Sequence, residues 1–264
     1  MLGFNGGLIG KVRNTSLTDS VPGVWTLREQ LEGVRAVQWP VGADPFFSSV
    51  SLLLKGNGSN GSTTITDSSS SPKTVTAVGN AQISTAQSKF GGASIAVDGT
   101  GDYLTVPASS DFELGSGNFT IETWVYFTAV TSNTTILRLA SGNGFDGILF
   151  GHSSNLVCNV ASNSSTWGLL SNQALTGATV LNTWHHVALV RSSNTFRGFV
   201  NGSQVFSVTA SGSVYQSSAI ARIGAANSDG SFAMAGYIDD LRITKGVARY
   251  ESSFTPSPTS FPAR

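Results

Sequence analysis

What this sequence has least of is charge. Only 11% of its 264 residues are Asp, Glu, Lys or Arg, and 15 basic residues cancel 15 acidic ones. With no basic block and no net charge, nucleic acid and anionic lipid are not expected partners. Cysteine is nearly absent: Cys158 stands alone, which excludes an intrachain disulfide. It falls in the strand-like alternation Asn155-Leu-Val-Cys-Asn-Val160 and reads as a small buried hydrophobe. No apolar run of about 18 residues occurs, so no helical membrane span is expected. The opening Met1-Leu-Gly-Phe-Asn-Gly-Gly-Leu-Ile-Gly10 lacks a charged n-region and a long apolar core, and is not read as a signal peptide.

The usual catalytic constellations are also missing. There is no Gly-x-Ser-x-Gly elbow and no phosphate-binding glycine loop. His185 and His186 are adjacent, so on a strand they project to opposite faces. Glu122 is followed at the same-face positions by Trp124 and Tyr126, so it lacks the same-strand carboxylate that a glycoside hydrolase would need. An enzyme is not expected.

What is abundant is turn chemistry: 30 glycines, with many Ser, Thr and Asn residues, between short apolar runs. Strands are expected over 49–55, 73–78, 119–127, 184–191, 195–200, 203–208, 219–224 and 236–244, with a strand, turn, strand unit over 90–107. Asn201-Gly202 is the hairpin signal in the meander. In 119–127, Phe119, Ile121, Val125 and Phe127 share one face while Glu122, Trp124 and Tyr126 share the other, as in a central sandwich strand. Asp98 and Asp102, flanking Gly99-Thr-Gly101, read as turn-holding residues. The adjacent Asp239 and Asp240 are expected on opposite faces of the last strand.

Residues 1–48 differ in kind. Val24, Leu27 and Leu31 have helical spacing, and a short helix is expected over 26–35, interrupted at Gly33. The segment is too small to bury Trp25 and Trp39 alone, so these two, with Leu27 and Leu31, are expected to dock on the following domain or on another chain.

Two resemblances follow from these motifs. Gly6-Gly-Leu-Ile-Gly10, Gly23-Val-Trp-Thr-Leu-Arg-Glu-Gln30 and Gln38-Trp-Pro40 resemble a leader found at the start of many bacteriophage structural proteins. The rest of the chain is similar to the laminin G-like, concanavalin A-like lectin superfamily. The motifs are Leu52-Leu-Leu-Lys-Gly-Asn-Gly58, Phe90-Gly-Gly-Ala93, Val97-Asp-Gly-Thr-Gly-Asp-Tyr-Leu-Thr-Val106, Phe119-Thr-Ile-Glu-Thr-Trp-Val125, Trp184-His-His-Val-Ala188 and Tyr237-Ile-Asp-Asp-Leu-Arg-Ile243. The first resemblance implies that 1–48 is an N-terminal segment for virion docking and oligomerisation, and the second implies an all-β jelly-roll sandwich of two antiparallel sheets over 49–264.

The superfamily resemblance also implies candidate ligands. A calcium ion at the sheet rim would use Asn57, Asp67 and one of Asp239 or Asp240, with carbonyls near Gly91-Gly92, since oxygen-only ligation suits Ca²⁺. Lys55 stands where many relatives carry an acidic residue. A glycan would use the loop aromatics Trp167, Tyr215 and Phe232. The Pro- and Ser-rich carboxyl end is expected to run extended over the surface, clipped by Phe254 and Phe261. The expected whole is a virion-surface homo-oligomer contacting other virion proteins through 1–48 and host glycans through the sandwich. The alternatives are a purely structural virion cement and a secreted carbohydrate-binding module.

Overall fold

The computed structural model describes residues 43–264, apart from Asn133, Ser141, Asn143, Ser217 and Ser218. The expected helix over 26–35 and the docking residues Trp25, Leu27, Leu31 and Trp39 lie outside the described residues.

Among the described residues, fifteen strands follow one another. The first five are β1 (Val50–Leu54), β2 (Thr76–Val78), β3 (Gln82–Ser84), β4 (Ser94–Asp98) and β5 (Tyr103–Val106). Next come β6 (Phe119–Ala129), β7 (Thr135–Ala140), β8 (Ile148–His152), β9 (Val157–Val160) and β10 (Leu170–Ala174). The last are β11 (Trp184–Ser192), β12 (Thr195–Val200), β13 (Ser203–Thr209), β14 (Ile220–Ile223) and β15 (Ala235–Lys245). They form two antiparallel sheets. An eight-stranded sheet runs β13-β12-β11-β6-β15-β4-β3, with β1 also paired to β15, and a seven-stranded sheet runs β10-β9-β8-β7-β14-β5-β2. This is the jelly-roll sandwich expected from the sequence.

The core lies between the sheets. Phe119, Ile121, Val125 and Phe127 of β6 point into it from one side, and Leu137, Leu139, Ile148, Phe150 and Cys158 from the other. Alternation places them there, and their combined apolar area drives the two layers together. Asn201 and Gly202 both take positive φ, +50° and +79°, as a type I′ hairpin turn requires between β12 and β13. The turn at Gly99-Thr-Gly101 joins no hairpin, because β4 belongs to one sheet and β5 to the other. Asp98 and Asp102 hold that crossing: Asp98 accepts from the Thr100 amide, and Asp102 from the amides of Asn80 and Asp98.

One expectation is corrected. Asp239 and Asp240 do not alternate across β15. Ile238 and Leu241 both enter the core, and the pairing with β6 shifts between Asp239 and Arg242. The bulge, with Asp240 at φ +47°, puts the two carboxylates on the same, non-core face. Strict period-2 reading fails wherever a bulge inserts a residue.

Candidate functional site

The non-core faces of the two sheets are built in opposite ways. On the eight-stranded sheet, register brings Arg242 of β15 opposite Glu122 of β6, and β11 places His186 beside them. Glu122 is fully buried and accepts four hydrogen bonds: from Arg242 Nε at 3.0 Å and Nη2 at 2.7 Å, from Tyr250 Oη at 2.8 Å, and one shared with His186 Nε2 at 3.2 Å. Asp44 extends the network. It accepts from Arg242 Nη1 at 3.1 Å and from Arg249 Nη1 and Nη2 at 3.1 and 2.6 Å. Burial pushes the Glu122 carboxyl up, but Arg242, His186 and Arg249 outweigh it and hold it well below the usual carboxylate range. Every oxygen that catalysis would need on Glu122 is already committed to an ion pair or hydrogen bond.

The carboxyl end seals this face. Tyr250 stacks on Phe254, which packs edge-on against Phe199, and Phe261 is buried with Arg242 over its ring at 3.7 Å. Asp240 ties the segment down, accepting from Ser260 Oγ at 2.8 Å and the Phe261 amide at 2.7 Å. Phe254 and Phe261 are thus the clips that the sequence suggested.

Of the four expected metal ligands, Asp67 and Asp240 are committed to holding other segments of the chain, while Asp239 and Asn57 both lie against the loop over 89–91. Asp67 is filled by the amides of Leu53, Ser69 and Lys73 and by the Ser69 hydroxyl, so it holds a loop. Asp240 anchors the carboxyl end. Asp239 accepts from the amides of Lys89 and Phe90 through Oδ2, while its buried Oδ1 has no hydrogen-bond partner among the described residues. Burial, with Asp240 adding to it against the two amides, pushes its carboxyl up to about 7. Asn57 Oδ1 lies so close to Gly91 that a Cβ there would collide with it. No three carboxylate, histidine or cysteine side chains converge on a metal-sized site among the described residues.

The seven-stranded sheet presents an open face. Its register aligns a transverse row, Arg222 of β14, Arg138 of β7, Leu149 of β8 and Asn159 of β9, on the side away from the core. Above this row lies a hollow of about 380 Å³, lined by Arg138, His152, Asn159, Trp167, Asn227 and Phe232 among others. Phe145, 41% exposed, meets Trp167 edge-on with ring centroids 5.4 Å apart. Phe232 leans on His152 at 5.2 Å. His152 shares a 2.8 Å hydrogen bond with Thr135, and Asn159 accepts from the Asn172 amide at 2.8 Å. Burial and the neighbouring Arg138 hold the His152 imidazole below its ordinary value.

So the structure brings two of the three expected glycan residues, Trp167 and Phe232, to one hollow. Tyr215 is exposed but lies outside that lining. Sequence reading missed Arg138, Phe145, His152 and Asn159. The signal available was an arginine inside each of two apolar strands, Thr135-Ile-Leu-Arg-Leu-Ala140 and Ile220-Ala-Arg-Ile223. A buried polar residue is the informative departure in such a run. The hollow has the size, the aromatic surfaces and the convergent amide groups of a small-molecule site.

Comparison with known proteins bears on this architecture. No curated protein matches the sequence. Domain 4 of AbnA, a GH43 extracellular arabinanase from Geobacillus stearothermophilus solved in complex with arabinotriose, superposes with a TM-score of 0.56. Identity is 17%, over 76% of this chain and 94% of that one. The binding domain of Paraclostridial Mosquitocidal Protein 1 gives 0.57 at 14% identity, over 77% of this chain and 51% of that one. A botulinum neurotoxin type C structure, from work in which cell entry depends on interaction with two ganglioside molecules, gives 0.53 at 18% identity, over 77% and 50%. This chain therefore spans about half the length of the toxin chains it matches, and at such identities the likeness establishes the fold alone. A laminin G-like family model, described as the concanavalin A-like lectin/glucanases superfamily, matches residues 98–249. With more than half of its residues inside that match, the chain belongs to the concanavalin A-like lectin/glucanase superfamily.

Proposed function

We propose that this chain is a non-enzymatic bacteriophage virion protein, in a tail, a fibre or a capsid decoration, whose sandwich binds host-surface glycans in the hollow on its seven-stranded sheet. The observation that carries the binding reading is the meeting of Trp167, Phe145 and Phe232 with Asn159 and Asn227 around one open cavity. Aromatic faces take the apolar side of a sugar ring and amide groups take its hydroxyls. The AbnA domain with arabinotriose and the neurotoxin dependent on gangliosides support it by analogy of fold. The one carboxylate on the central strand that could serve glycan hydrolysis, Glu122, is consumed by Arg242, His186 and Tyr250.

The virion part rests on the leader-like motifs of residues 1–48, through which the chain would dock to other virion proteins and assemble with its own copies. A calcium ion at the rim would be held by Asp239 and Asn57 with neighbouring carbonyls. The unpartnered Oδ1 of Asp239 fits that role, and the ion would supply the positive counter-charge that stabilises this buried carboxylate in its ionised form. Binding to the native state alone would raise stability by about 2.7 kcal/mol at a calcium concentration 100 times Kd. An Asp239→Asn variant should lose that gain in thermal melts with and without chelator.

A glycan array tests the binding proposal. Binding of at least one glycan by the wild type and its loss in Trp167→Ala support it; no binding with calcium present sinks it. Deleting residues 1–42, which spares Asp44 and its ion pairs, should leave the sandwich folded and abolish particle incorporation, and retained incorporation contradicts the docking role.

A further inference from the structure

We infer that the hollow takes an acidic saccharide, a sugar unit carrying a carboxylate, with Arg138 of its lining as the counter-charge and Arg222, the cross-strand neighbour outside the lining, adding to the local positive charge. The inference rests on the glycan-binding reading above and specifies its ligand class.

Four arginines are buried among the described residues: Arg138, Arg191, Arg222 and Arg242. Two of them, Arg191 and Arg242, have every guanidinium nitrogen satisfied by the chain, whereas the half-buried Arg197 of β12 leaves its Nη1 without a partner among the described residues. Arg191 gives Nε, Nη1 and Nη2 to the carbonyls of Ser193, Gly115 and Gly212. Arg242 gives all three to Glu122 and Asp44. The other two differ. Arg138 bonds Gly144 O through Nη2 at 2.9 Å, but its Nε has no hydrogen-bond partner among the described residues, and neither has Nη1 of Arg222.

These two are the ones that stand side by side, as direct cross-strand partners on β7 and β14, 3% and 4% exposed. Like charges directly opposite one another destabilise a sheet. Burial of unpaired donors adds to that cost. One carboxylate, that of Asp146, acts on both guanidiniums, so the balance is one positive charge in excess. His152, the other titratable group of the lining, is shifted towards neutrality and adds no anion. Burial and Arg222 together push the Arg138 guanidinium down to about 10, still charged at neutral pH.

A ligand carboxylate in the hollow supplies what the site lacks: a negative charge, planar and matched to the guanidinium fork. Trp167, Phe145 and Phe232 would receive the sugar ring beside it. A neutral sugar would leave the arginine pair as it stands.

The test is calorimetric titration of the full chain with sialyllactose against lactose, and with trigalacturonate against its methyl ester, guided by an array carrying acidic and neutral glycans. The expected result is a preference for the acidic member of roughly tenfold or more. It should shrink at about 1 M salt, where the screening length is about 3 Å. Arg138→Gln, with an unchanged circular dichroism spectrum, should bring the ratio of acidic to neutral affinity to about one, whatever its effect on affinity as a whole. If Arg138→Gln fails to fold, Arg222→Gln and the salt series read the same preference. Equal or tighter binding of neutral sugars overturns this inference and leaves the glycan reading intact. Absence of binding to any array glycan, acidic or neutral, overturns both.

Discussion

The two non-core faces of this sandwich use the same residue types to different ends. On the eight-stranded sheet, Glu122 and Asp44 are ion-paired with Arg242 and Arg249, and the carboxyl end closes over them through Tyr250, Phe254 and Phe261, although His186 Nδ1 and Asp239 Oδ1 have no hydrogen-bond partner among the described residues. On the seven-stranded sheet, two buried arginines share one acid, and the aromatic side chains stand open around a hollow. The ion-paired and covered network rigidifies its face, whereas the arginine pair on the other face stands beside an open hollow with one acid between two charges. The contrast assigns stability to one face and recognition to the other.

The largest effect should come from breaking the ion-paired face. Glu122→Ala leaves Arg242 buried without its main counter-charge, and such broken pairs cost about 3–5 kcal/mol. Urea denaturation should show a large loss for Glu122→Ala and a much smaller one for Arg138→Gln. Equal losses would erase the distinction between the faces. Phe261→Ala removes a buried clip and should cost about 3 kcal/mol in the same assay. It is expected to expose the Arg242 network to solvent and to make it sensitive to salt.

Acid should act on the ion-paired face next. Glu122 and Asp44 are both held below their ordinary values of 4.5 and 3.8, so near and below those values the unfolded chain binds protons that the native chain refuses. Their stabilisation is therefore full above about pH 5 and lost as pH falls below 4.5 towards their depressed native values. A melting-temperature series from pH 7 to pH 3 checks this, and Glu122→Gln should flatten the acid limb of the curve. Between pH 7 and about 4 two opposite contributions act: His152, held deprotonated in the native chain, costs stability below 6.5, while Asp239 and Asp240, whose carboxyls burial pushes up to about 7 and about 6, add stability as pH falls.

Legibility in the sequence followed this division only in part. Period-2 patterns, a hairpin dipeptide and long runs made β1, β4, β6, β11, β12, β13 and β15 of the eight-stranded sheet readable, and β2, β5 and β14 of the other sheet as well. The hollow was not, because each short strand of the other sheet contributes one residue to a row assembled across β14, β7, β8 and β9. Trp167 and Phe232 were readable as loop aromatics, while Arg138 and Asn159 look like ordinary strand residues until register aligns them. Glu122 appeared alone for a similar reason. Its partners His186 and Tyr250 are 64 and 128 residues away. The bulge at Asp240 leaves no mark on an alternating pattern and undid the inference drawn from it.

On the open face the effects should appear in binding rather than stability. Trp167→Ala should weaken glycan affinity by roughly tenfold, about 1.4 kcal/mol, with little change in melting temperature. The smallest effect should be at Cys158, buried in the core between the faces, whose thiol burial pushes up to about 12. It should resist iodoacetamide in the native chain at pH 8 and react only after denaturation.

Amide shift mapping during titration with sialyllactose tests the central division most directly. The account predicts perturbations confined to the open face, at Arg138, Phe145, Asn159, Trp167 and Phe232. Perturbations centred on Glu122, Tyr250 and Phe261, or none at all, would contradict it.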